Sequence, residues 1–181
     1  MDTITTASAS VALLALAFLL AGQFFQPTPS QRKPYASFRA FYPFYLSQHA
    51  QPATKLLHCL GTLIVFGFCA ARPLLALALA LGAVLGYAAH PLLRGLDSGL
   101  LEMALTLGTY AACGKAFTGS WPATLGLPLG AYGFAWVAHF VVEQNRPATF
   151  IYPIYSLLGD FVMFAECAVG RHRLTGKAED P

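Results

Sequence analysis

Residues 73–93 read PLLALALALGAVLGYAAHPLL, with no Asp, Glu, Lys or Arg among them. Leu and Ala fill every side of a helix built from this run, and a helix that is apolar all round belongs in lipid or in a deep core. A bilayer-spanning helix needs about 20 such residues. Outward from this stretch the same pattern recurs: residues 3–31, 56–71 and 116–142 are also free of charge. Across all 181 residues only 10% are charged, against about 25% in an average soluble domain, and 56% are hydrophobic. Eleven basic and eight acidic side chains cannot cover a water-soluble globule of this length. Disorder is excluded by the same apolar content. A net charge of +3 with no basic cluster argues against nucleic acid as a partner.

The expected fold is all-α, a polytopic membrane bundle of five to six hydrophobic helices plus one interfacial amphipathic helix. The hydrophobic helices are placed near 8–25, 54–71, 73–90, 98–117, 123–142 and 151–169. Arg72-Pro73 reads as a tight hairpin, since proline stops one helix and suits the first turn of the next. Residues 1–34 form an expected hydrophobic anchor and linker, 35–170 the membrane-embedded catalytic domain and 171–181 a polar tail. Arg32 and Lys33 follow the first hydrophobic segment, which favours an uncleaved anchor with residues 27–55 in the cytosol. Six crossings would leave Arg171, Arg173 and Lys177 on the wrong side, so one span is re-entrant or miscounted. Cys59, Cys69, Cys113 and Cys167 lie in apolar stretches and read as small buried hydrophobes.

In so apolar a chain, ionisable groups within or beside the spans carry the information, because placing one in hydrocarbon costs at least ~2.5 kcal/mol. Residues 35–48 hold six aromatics, Tyr35 and those at 38, 41, 42, 44 and 45, the pattern of a helix lying at headgroup depth. His49 closes that helix, Pro52 turns the chain, and His58 falls in the opening turns of the next. The two imidazoles either converge on one point or separately bond lipid phosphate and backbone. His139 and Glu143, four apart, share a face of an α-helix. They read as two metal ligands, as a ligand with the carboxylate that fixes its tautomer, or as a bond sealing a helix end. His90 reads as a cap beside Pro91, and His172 as solvated. Asp160 neutralises Arg146, bonds a neighbouring helix or ligates a metal. Imidazoles without thiolate suit Fe(II), Zn or Mn.

Two stretches together are distinctive: FYPFYLSQHAQPATKLLHCLGT at 41–62, and AWVAHFVVEQNRPATF at 135–150 with YSLLGDF at 155–161. These resemble the yeast-type 2-hydroxy-fatty-acid dioxygenases, a family of small polytopic membrane proteins, over about residues 35–166. The resemblance implies an Fe(II)-dependent dioxygenase of fatty acid α-oxidation that shortens a 2-hydroxy acyl chain by one carbon without 2-oxoglutarate. It implies His49, His58 and His139 as the metal residues, with Glu143 a further motif position. Arg146 and Lys55 stand beside the motifs as partners for a substrate carboxylate, and Glu143 and Arg146 are the expected catalytic side chains. The expected partners are a 2-hydroxy fatty acid, dioxygen and membrane lipid. The expected location is a multi-pass membrane protein of the endoplasmic reticulum in a eukaryote or the inner membrane in a bacterium. Two other readings stay open: a structural or transport protein whose His and carboxylate groups join helices, and a zinc-dependent lipid hydrolase.

Overall fold

The computed structural model describes residues 2–175; Lys177 and the rest of the expected polar tail from 176 lie outside the described residues. Among the described residues there are seven α-helices and no strand. They are α1 (Thr3–Phe24), α2 (Phe38–Ser47), α3 (Pro52–Ala71), α4 (Pro73–Leu93), α5 (Leu100–Thr118), α6 (Trp121–Val137) and α7 (Pro153–Ala168). A π-helical segment, Ala138–Glu143, continues α6, and a 3-10 turn, Ala148–Phe150, precedes α7. Four stretches are long and apolar enough to cross a membrane: α1, α3, α4 and α6 with its π extension. The chain is a polytopic helical bundle. Proline opens α3, α4 and α7 in the first turn, where its missing N–H costs nothing. The expected end at His90 is overrun, because α4 continues through Pro91 to Leu93.

The most extensive packing joins α4 to α5, then α3 to α6 and α1 to α4. Close approach of α4 and α5 depends on Gly82, where an added Cβ would stand 2.5 Å from the Thr106 carbonyl oxygen. Helix α1 buries only Ala15 fully and turns Leu13, Leu16 and Leu20 outward, as a lipid-facing helix does. Free thiols Cys59, Cys113 and Cys167 are buried, and Cys69 is half-buried.

Helix α7 does not cross the bundle. Its first turn bonds the first turn of α5 (Ile154 N–H to Glu102 Oε1, 3.4 Å), and Tyr155 packs on His90 at the end of α4. Its last turn brings Cys167 into one cluster with Cys59 near the start of α3. Both ends of this 16-residue helix meet the short α2, Tyr152 at its start packing on Phe41 and Glu166 near its end accepting from Tyr42. Arg171 pairs there with Glu166 (3.6 Å), and the expected sixth crossing at 151–169 is not among the four stretches long and apolar enough to span. Helix α2 lies along α7, with Phe41 and Tyr45 buried between Tyr152, Tyr155 and Met163.

The end of α4 meets a second buried polar group. Glu102 is 1% exposed and takes His90 Nδ1 at 3.0 Å, so His90 is an interior residue and not an interfacial cap. Lys33, expected as a cytosolic charge, is fully buried and donates to the Leu93 carbonyl (3.2 Å). Burial holds its ammonium below the ordinary lysine range, partly offset by Glu102.

Candidate metal centre

The local chain dictates where His49 goes. Helix α2 ends at Ser47, leaving its last carbonyls without intrahelical partners. The His49 Nδ1–H donates to Tyr45 O at 2.6 Å, beside the Gln48 N–H that the same carbonyl accepts (3.1 Å), and the ring stacks on Tyr45 with centroids 4.1 Å apart. Gln51 and Pro52 then start α3, and the Gln51 N–H, which no capping side chain of its own turn serves, donates to Glu143 Oε1 (2.7 Å). One and a half turns on, His58 points back at His49, with ring centroids 4.4 Å apart. His139 arrives from the opposite side on the π segment, 4.8 Å from His49 and 5.1 Å from His58 by ring centroids.

The three rings share one logic. Each Nδ1–H is committed to an oxygen: His49 to Tyr45 O, His58 to Asp160 Oδ1 (2.7 Å) and His139 to Asn145 Oδ1 (2.7 Å). That fixes the tautomer and leaves each Nε2 lone pair free. Nε2 of His49 and of His58 is buried with no hydrogen-bond partner. An orphaned buried acceptor costs about 1–3 kcal/mol, and two facing one another are poorly explained as helix glue. The candidate ligand atoms of the three rings lie within 4.8 Å of one another. This is somewhat wider than the roughly 3–4 Å implied by metal–nitrogen bonds of about 2 Å. The donor set fits a borderline divalent cation: three imidazoles, no thiolate, and acceptors behind every ring.

Electrostatics favour the cation-binding form of His49. Burial, then the neighbouring His58, holds the His49 imidazole well below its ordinary range, so it stays neutral and able to bind a cation. Burial and the Asp160 carboxylate push the Tyr45 phenol well up, so it remains a donor to Asp160 Oδ1 (2.5 Å). Asp160 thus accepts from Tyr45 and His58 together, joining α2, α3 and α7 at one carboxylate.

Several expectations are corrected here. Asp160 does bond neighbouring helices, and it does not neutralise Arg146, which is exposed. Glu143 does not reach His139. The segment carrying both is π-helical, with Gln144 N–H donating to His139 O, so the residue four positions on no longer stands over the ring. Asn145 takes that place, its amide oriented by donation to Gln48 O (3.0 Å). His172 is not solvated: its Nε2 lies 2.9 Å from Glu166 Oε2, which also accepts from Tyr42 (2.5 Å). Asn145 and Tyr45 sat inside the quoted motifs, and neither has a charge to draw attention to it.

From the triad a cavity of about 380 Å³ runs between α3, α5, α6 and α7. That is within the ~300–1,000 Å³ of small-molecule sites. Its walls are apolar, including Val65, Leu79, Leu127 and Phe161, and Tyr110 stands among them with its hydroxyl donating to Thr124 O (2.7 Å). Neither Glu143, Arg146 nor Lys55 lines it, and no Lys or Arg does.

A family model described as Mpo1-like, 2-hydroxy-palmitic acid dioxygenase Mpo1-like, matches residues 35–172. The chain belongs to the Mpo1-like family. No curated protein and no solved structure gives a match. All three imidazoles, their Nδ1 acceptors and the whole of α3 to α7 fall inside the Mpo1-like region, whereas α1 precedes it.

Proposed function

We propose that this Mpo1-like protein is a membrane Fe(II)-dependent dioxygenase that shortens 2-hydroxy fatty acids by one carbon. The observation that carries the reading is the joining of two features: three converging imidazoles, two of them with unpartnered buried Nε2 atoms, set at the head of an apolar cavity. Family membership supports the substrate class, since its description names 2-hydroxy-palmitic acid. Iron, when bound, supplies the electrons for dioxygen chemistry that side chains lack.

The overall change balances without a cosubstrate. A 2-hydroxy acid and O₂ give the shortened carboxylic acid, CO₂ and water: the C1–C2 bond breaks, C2 becomes the new carboxyl carbon, and dioxygen takes up four electrons. His49, His58 and His139 would hold the cation. Tyr45 O, Asp160 and Asn145 hold the rings. The apolar walls take the acyl tail and exclude water from the reacting end, while the site's position near the polar end of the bundle lets an amphiphile keep its tail among the helices. The compartment follows from the host: endoplasmic reticulum in a eukaryote, inner membrane in a bacterium.

A purely structural role leaves unexplained why the orphaned Nε2 atoms of His49 and His58 stand together with His139 around one point, whereas His90, whose Nε2 is also unpartnered, stands in no such group. The test is turnover of 2-hydroxypalmitate by the purified, Fe(II)-reconstituted full chain. Pentadecanoic acid should form in air, not under anaerobic conditions, and not with His58→Ala or His139→Ala. Oxygen-independent turnover would argue for hydrolysis, and none at all in wild type would remove the reading.

A further inference from the structure

A fatty acid bound with its head at the triad brings a carboxylate into a cavity that no Lys or Arg lines. Something other than an ion pair with the protein must receive it. Six buried side-chain atoms stand without a hydrogen-bond partner among the described residues, and those on the cavity lining are His49 Nε2, His58 Nε2 and Ser156 Oγ. The imidazole nitrogens are explained by a cation. Ser156 is not.

Ser156 is 3% exposed and lies on α7 one turn before Asp160, on the face that also carries Pro153, Leu157 and Phe161 into the cavity. Residues four apart on a helix have Cβ atoms about 5–6 Å from one another, so the hydroxyl stands one turn along from the carboxylate that anchors His58. A serine within a helix ordinarily bonds the carbonyl one turn back, yet this one bonds nothing. Thr106, another hydroxyl of the lining, is already spent on the Glu102 carbonyl (2.9 Å). Leaving a buried hydroxyl unpaired is unfavourable in the ligand-free protein, and the cost is recovered when an acceptor enters.

We infer that Ser156 is a substrate-binding residue whose Oγ–H donates to the carboxylate of the fatty acid. The inference rests on the functional reading above and deepens it: the acid is recognised by a neutral donor beside the metal centre, not by a cation of the protein.

The experiment uses the full chain in nanodiscs, loaded with Fe(II) under anaerobic conditions so that binding is read without turnover. Affinity is measured for 2-hydroxypalmitate and for 1,2-hexadecanediol, which keeps the tail and 2-hydroxyl and lacks the carboxylate. Ser156→Ala should weaken the acid about tenfold, as loss of a hydrogen bond to a charged group does, and leave the diol unchanged. Ser156→Thr, which keeps the donor, should restore the acid. Thermal stability of the ligand-free protein should be equal or higher in Ser156→Ala, since no bond is lost; a drop would mark a structural role. Equal affinity of wild type and Ser156→Ala for the acid, or equal weakening of acid and diol, would overturn the inference while leaving the functional reading intact. Failure of wild type to bind the acid at all would remove both.

Discussion

His58 and Asp160 show how much rests on single contacts. A ring held at Nδ1 by a carboxylate is both oriented and made a better ligand, and loss of such a partner typically costs 10–100-fold in metal affinity. Asp160→Ala and Asn145→Ala should each weaken Fe(II) binding by about that factor in a metal titration, although neither residue is among the candidate ligands. Unchanged affinity in both would mean that these partners do not tune the site. His90 offers a contrast within the same end of the bundle. It bonds a fully buried carboxylate, so His90→Leu should destabilise the fold by about 1–3 kcal/mol and leave metal content unchanged. Loss of metal without loss of stability would place His90 in the wrong group. The residue scale was also the least legible in sequence. An apolar setting marks His49, His58, His90 and His139 as unusual, and the family resemblance selects three of them. Neither could show that Asn145 rather than Glu143 backs His139, because that depends on a π turn which no periodicity announces.

At the scale of elements, α2 and α7 are the unusual pair. Neither meets the length of a spanning helix, yet together they carry Tyr45, Asp160 and Ser156. Gly159 makes their approach possible, since an added Cβ would lie 2.9 Å from the Tyr45 ring. Tyr45 supplies both the stacked face and the backbone carbonyl for His49. Gly159→Val should therefore displace α2 and lower Fe(II) affinity at least tenfold while helix content by circular dichroism is unchanged; normal affinity would show that the α2–α7 contact is dispensable to the site. The long apolar runs made α1, α3, α4 and α6 readable directly, because lipid imposes one rule on every residue of a span. The sequence places a sixth hydrophobic helix at 151–169; it forms as α7, but at 16 residues it is not among the stretches long enough to span.

For the whole molecule, the arrangement of ends fixes sidedness. Ser30, Gly95, Arg146 and Arg171 belong to the end that carries the triad, and Gly119 to the other. Single cysteines at these positions, in a background with Cys69 replaced, should react with an impermeant thiol reagent from one face of sealed vesicles for the first four and from the opposite face for Gly119→Cys. Labelling of Arg171→Cys together with Gly119→Cys would restore α7 as a crossing helix. Placing a polar metal centre at that end and an apolar cavity beside it suits an amphiphilic substrate, whose head and tail ask for different surroundings.

The central claim is that three imidazoles from α2–α3, α3 and the end of α6 share one cation. X-ray absorption at the iron edge, on the Fe(II)-loaded full chain, tests it most directly. The account predicts one iron per chain and three imidazole nitrogens at about 2.0–2.2 Å, with the histidine signature lost in the His49, His58 and His139 alanine variants. Iron bound only through oxygen ligands, or an unchanged spectrum in those variants, would contradict it.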